Sequence, residues 1–68
     1  MKVNEATALA KKYVQDAAAT VATASLRLET FVYDDHLAIW TVTLASPEFS
    51  EPRIVRISNV DGSLISIR

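Results

Sequence analysis

Cysteine is absent from this chain, glycine occurs once, proline twice, and histidine and tryptophan once each. Without cysteine there is no disulfide framework, no thiolate metal site and no thiol nucleophile. A lone glycine, Gly62, cannot build the loop of successive glycines that cradles a phosphate. With a single histidine, His36, and serines that fall in turns or on a strand's outer face, no base is placed beside a hydroxyl to activate it. Charge of one sign is also lacking. Seven Lys and Arg against eight Asp and Glu give a formal net charge of -1, so no global field draws phosphate backbones or anionic lipid, and nucleic acid is disfavoured as a partner. The few aromatics do not interleave with a basic patch, as a single-strand binding platform would require. No window approaches the roughly 18 apolar residues of a membrane span, and the N-terminus has neither a basic nor an apolar leader segment. No cofactor is implied.

What remains is half hydrophobic: 50% of 68 residues. That composition belongs to a folded domain, and the length is one at which a single core only just supports folding. We read residues 1–68 as one α+β domain. Ala6, Leu9, Ala10, Tyr13, Val14, Ala17 and Val21 recur at the spacing of one helix face, with Lys11, Lys12, Gln15, Asp16 and Thr20 opposite. The spacing predicts a long helix over about residues 4–23, with Asn4 as its N-cap and Glu5 in the first turn, where the helix dipole favours an anion.

Four strands are expected after it, at about residues 26–33, 37–45, 53–59 and 63–67, forming an antiparallel meander with the helix across one face. The stretch LAIWTVTLA, Leu37 to Ala45, is the central strand. Its even positions Ala38, Trp40, Val42 and Leu44 are uniformly apolar, while its odd positions pass from Leu37 and Ile39 to Thr41 and Thr43. A three-residue loop of Asp34, Asp35 and His36 would set Leu26, Leu28, Thr30 and Val32 on the same inner face. After a connection with two prolines, anchored by Phe49, the run Asn59, Val60, Asp61, Gly62 predicts a turn with Gly62 in the left-handed region. A three-residue loop there puts Val55, Ile57, Ile65 and Ile67 inward and Leu64 outward. The expected core is Leu9, Tyr13, Val14, Ala17, Val21, Leu28, Trp40, Val42, Leu44, Val55, Ile57, Ile65 and Ile67.

Two clusters have residue types that do chemistry. Asp34, Asp35 and His36 offer metal ligands or an acid/base pair, but three consecutive turn residues rarely converge on one ion, and carboxylates in turns bond the local backbone instead. Glu48 and Glu51 lie in the proline-bearing connection with nothing to desolvate them. Neither is expected to catalyse. The outer sheet face is the better candidate: Phe31, Tyr33, Leu37 and Ile39 gather there in the expected register, with Leu64 beside them, and a contiguous exposed apolar patch marks an interface.

The segments EATALAKKYV, WTVTL and VRISNVDGSLISI resemble the helix, central strand and glycine-turn hairpin of PepSY domains, small modules of metallopeptidase propeptides and bacterial cell-envelope proteins. The family's acidic residue before its glycine turn is replaced here by Ser58 and Asn59, and no strand leads into the helix. The resemblance implies a helix on an antiparallel sheet, a cell-envelope or extracellular setting, and a regulatory role through protein contact, without catalytic residues. A cystatin-like arrangement of helix on sheet has the same outline. We therefore expect a non-catalytic regulatory or protein-binding module that acts through the outer sheet face. A self-associating protein whose sheets pack face to face into a homodimer, and a carrier of a small apolar ligand, are the alternatives. Outside the PepSY resemblance, a cytoplasmic location is the expectation.

Overall fold

A computed structural model describes residues 1–18 and 25–68. Helix α1 spans Val3–Ala17, and strands β1 (Arg27–Asp34), β2 (Ile39–Ala45), β3 (Arg53–Ser58) and β4 (Leu64–Ile67) follow. They form one antiparallel sheet in the order β1-β2-β3-β4, with α1 packed across its two central strands. The fold is the expected α+β arrangement of one helix on a four-stranded meander.

The helix is shorter at its end and starts earlier than the periodicity indicates. Lys2, not Asn4, is the N-cap, and it makes no side-chain capping bond; its carbonyl accepts from the Ala6 amide at 3.0 Å. Starting at Val3 lets that side chain join the edge of the core, which outweighs the capping preference of Asn4. The helix ends at Ala17, where Ala18 leaves helical geometry. Val21 and the rest of the expected helix to residue 23 fall outside the described residues, apart from Ala18 itself.

The buried stripe of α1 is Ala6, Ala10 and Val14, spaced four apart, with Leu9 and Tyr13 packed at its flank. Two alanines at the centre of the contact let the helix backbone approach the sheet closely. Leu9 and Tyr13, expected in the core, therefore sit partly buried at its border, and Ala17, also expected there, is exposed. Beneath the helix lie Trp40, Val42 and Leu44 of β2 and Val55 and Ile57 of β3, closed at one end by Leu26. Tyr13 also ties α1 to the far hairpin, since its hydroxyl donates to the Gly62 carbonyl at 2.6 Å.

Both hairpin registers differ from the expected ones, each by its turn and a bulge. The first turn has four residues, 35–38. Asp34 Oδ1 accepts from the amides of His36 (2.9 Å) and Leu37 (3.1 Å), and Ala38 closes the turn at φ +54°. Tyr33 thus pairs with Trp40 and Phe31 with Val42, not Thr30 with Trp40. The register then shifts between Leu28 and Thr30, so that Leu28 pairs with Leu44, where the expected register set it opposite Val42. The aromatic contacts explain why this register wins. Tyr33 and Phe31 lie 5.0 and 6.2 Å from Trp40 between ring centroids, tilted by 41° and 46°. Such pairs contribute about 0.5–1.5 kcal/mol each beyond burial, which Thr30 opposite Trp40 would forgo.

At the second hairpin the turn spans residues 59–62: the Gly62 amide donates to the Ser58 carbonyl and the Ser58 amide to the Ser63 carbonyl. Gly62 stands at φ +74°, as its place in the turn predicts. Ile57 pairs with Leu64 rather than Ile65, and the register shifts so that Val55 still pairs with Ile67. Ile65 and Leu28, expected in the core, are both exposed.

Candidate functional site

Partners in an antiparallel pair point to the same face of a sheet. Phe31 and Tyr33 therefore share the helix side with Trp40 and Val42, whereas Thr30, Val32 and Asp34 share the outer side with Thr43, Thr41 and Ile39. This corrects the expected patch. Of its five residues, Phe31, Tyr33 and Leu64 stand on the helix side, Leu37 lies in the β1-β2 turn, and Ile39 alone faces outward from the sheet. The structure brings Phe31 and Tyr33 together on one strand and leaves Leu37, Ile39 and Leu64 apart from them.

The two aromatics nevertheless remain exposed, Phe31 at 49% and Tyr33 at 41%, because α1 sits over β2 and β3 and does not reach out over β1. They form a ledge at the sheet's margin, supported from below by Trp40, which is only 8% exposed. A chain of hydrogen bonds holds the ledge in place. The Trp40 indole Nε1 donates to Asn59 Oδ1 at 3.0 Å, and Asn59 Nδ2 donates to the Tyr33 hydroxyl at 3.3 Å. Sequence reasoning missed Asn59, which it read only as a turn residue. Its role arises from the meeting of β1, β2 and the second turn, far apart in the chain.

β1 is also an edge strand, and every one of its eight residues is exposed. Which of its backbone groups are free follows from the alternation of antiparallel bonding. The Asn59 amide donates to the Ala38 carbonyl at 2.7 Å, so even-numbered residues of β2 bond toward β3 and odd-numbered ones toward β1. The odd residues Ile39, Thr41 and Thr43 pair with Asp34, Val32 and Thr30. The outward N–H and C=O groups of this edge are thus those of Phe31 and Tyr33, the residues whose rings form the ledge. Between the bulge after Leu28 and the turn at Asp35 the edge reads Thr30, Phe31, Val32, Tyr33, Asp34, without Lys or Pro, two of the residues that block edge pairing.

The other candidate clusters are absorbed by their surroundings. The Asp34 carboxylate is occupied by its own turn, as expected of a carboxylate there. Glu48 and Glu51 line an open cleft of about 270 Å³ together with Arg53 and Arg68, and the Arg53 guanidinium stacks over the Phe49 ring at 5.1 Å. A second cleft of about 290 Å³ lies at the end of α1 against Val14, Ala18, Arg53 and Ile67. Neither cleft is an enclosed cavity beneath the sheet, where Val42, Leu44, Val55 and Ile57 are fully buried against Ala6 and Ala10. Among the described residues, no three His, Asp or Glu side chains converge as a metal site would need, and no helix is long and apolar enough to cross a membrane. No protein-family model, no curated protein and no solved structure matches the chain.

Proposed function

We propose that this chain is a non-catalytic protein-binding module and that its binding surface is the β1 edge with the Phe31 and Tyr33 ledge. One observation carries the reading: the same two residues present both exposed aromatic rings and unpaired backbone donors and acceptors. An extended segment of another chain laid along β1 gains main-chain hydrogen bonds from the edge and apolar contact from the rings, the two components of recognition by strand addition. Aromatic residues with a polar tip are favoured at such surfaces, and Tyr33 is held in position through Asn59. The resemblance to PepSY domains supports a regulatory use of this contact, and with it a cell-envelope or extracellular setting.

The test is site-specific photocrosslinking in the cells that make the protein. Phe31 or Tyr33 is replaced by p-benzoylphenylalanine, and Ile54, exposed on the outer face of β3, serves as the comparison position. Protein adducts at positions 31 and 33 that position 54 does not give are the expected result. Equal adducts at all three, or none at any, overturn the reading.

A further inference from the structure

We infer that β1 is a strand of two registers: its residues 29–34 slip by one position along β2, which turns Phe31 and Tyr33 from the helix side to the outer face and sets Val32 over Trp40. This is a switch built into the first hairpin, and it goes beyond the binding surface that the hairpin carries.

The bulge and the turn hold the same spare residue. Leu28 pairs with Leu44, Glu29 is left out of the pairing, and the ladder resumes with Thr30 opposite Thr43. At the far end the turn takes four residues, 35–38, and Ala38 closes it at φ +54°. When Glu29 enters the ladder opposite Thr43, every later pair moves by one. Thr30 meets Val42, Phe31 meets Thr41, Val32 meets Trp40, Tyr33 meets Ile39, and Asp34 meets Ala38. The loop then contains only Asp35, His36 and Leu37, while Leu28 keeps Leu44 and β2 keeps β3. Three-residue hairpin loops end in a left-handed residue, so that conformation passes from Ala38 to Leu37, which is exposed and in the turn.

The two registers trade comparable contacts. The observed one stacks Tyr33 and Phe31 on Trp40 and bonds Asn59 to the Tyr33 hydroxyl, at the expense of one residue outside the ladder. The slipped one makes the ladder continuous and places Thr30 and Val32 over Val42 and Trp40, with Leu28 inward in both. A slip of one residue inverts every side chain of a strand, which in a central strand would break two ladders and a packed face. Here, among the described residues, β1 pairs with β2 alone, α1 lies over β2 and β3, and all eight residues of β1 are exposed. The opposite edge, β4, also carries a bulge, but the Tyr13 hydroxyl pins its turn to α1 through the Gly62 carbonyl.

The slip also exchanges the backbone groups. In the slipped register the outward N–H and C=O belong to Thr30, Val32 and Asp34 instead of Phe31 and Tyr33. A partner strand bonded to Phe31 and Tyr33 therefore holds β1 in the observed register, and the slipped register closes that site. This coupling rests on β1 being a binding edge; the exchange itself does not, and it is measured on the free protein.

The test is saturation-transfer NMR of the backbone amides, which detects a minor state of about 1–10% that exchanges over milliseconds. The expected result is a second set of shifts confined to β1, its turn and the facing residues of β2. Ala38→Gly, which favours a left-handed residue at 38, should lower the minor population at least about fivefold, and Leu37→Gly should raise it by about as much. Deletion of Glu29 leaves no spare residue to pass between bulge and turn and should abolish the exchange, with nuclear Overhauser contacts between Tyr33 and Trp40 retained. Absence of exchange at residues 29–34 of the parent protein overturns the inference, as does exchange equally strong in β4 or exchange that survives the loss of Glu29. The parent measurement decides alone if a variant does not fold, and photocrosslinking at positions 31 and 33 tests the binding edge separately.

Discussion

Replacing Ala38 by glycine should stabilise this protein, and the sign of that effect tests the turn on which the whole arrangement of β1 depends. Ala38 stands at φ +54°, in the left-handed region, as the last residue of the four-residue turn. A Cβ in that region costs about 1–2 kcal/mol. Glycine removes this cost and adds back the entropy of a freer unfolded chain, about 0.4–1 kcal/mol. The difference is a net gain of about 0.5–1 kcal/mol. The Ala38 side chain is not part of the buried core, so little packing is lost to offset it. For a domain of this length, 1 kcal/mol moves the melting temperature by roughly 4–8 °C, within reach of a thermal melt followed by circular dichroism and of urea titration. Ala38→Val, whose branched Cβ tolerates the left-handed region worse, should shift the midpoint the other way. The alternative three-residue loop would make Ala38 an extended strand residue, where glycine costs about 0.5–1 kcal/mol relative to alanine. A destabilised Ala38→Gly beside a harmless Ala38→Val would refute the four-residue turn and, with it, the placement of Phe31 and Tyr33 on the helix side.

Three further outcomes follow from the packing and the turns. Trp40→Ala removes the ring that supports both β1 aromatics and should cost about 3–5 kcal/mol, as much as the whole stability of many domains this small; loss of cooperative melting is the readout. Ala10→Leu, at a position fully buried where α1 meets the sheet, should destabilise by about 1–3 kcal/mol in urea titration despite its greater hydrophobicity, because the close approach leaves no room for the added methyl groups. Asp61 is held below the ordinary carboxylate range, first by the Ser63 hydroxyl and then by the Ser63 amide, which donates to its Oδ1 at 2.9 Å. Because the folded value is the lower one, its contribution is present above the unfolded value and lost as the pH falls through the folded value. The stability difference between the parent and Asp61→Asn should therefore be seen near neutral pH and shrink as the pH falls below about 4.

How much of this was legible in the chain can be argued strand by strand. The inward face of β2 was read correctly from Trp40 onward, because only one face is uniformly apolar there: Trp40, Val42 and Leu44 admit no second assignment, and all three are buried, whereas Leu37 and Ala38, expected in the strand, lie in the turn before it. β1 gives no such signal. Leu28 and Val32 alternate with Phe31 and Tyr33, so both of its faces are apolar enough to be core, and the choice falls to the turn. The length of that turn is set by Asp34 capping its own loop and by Ala38 accepting a left-handed backbone, neither of which changes the hydrophobic pattern. The bulge after Leu28 compounds the ambiguity, since it lets Leu28 and Phe31 share a face that strict alternation forbids. The same happens at β4, where a bulge keeps Ile67 in place but exchanges Leu64 for Ile65 opposite Ile57.

The sequence by itself therefore determined the class of the domain, the order of its elements, the helix stripe at Ala10 and Val14, and the inward face of β2 and β3, because period and polarity there agree on a single answer. Only the tertiary structure decided which side of β1 looks toward the helix. That choice was made by the stacking of Tyr33 and Phe31 on Trp40 and by Asn59 reaching both Trp40 and Tyr33, contacts between residues that no local pattern connects. It also moved the exposed aromatics from the broad outer face to an open edge, since a single helix of this length covers two strands of the sheet and leaves the margin bare.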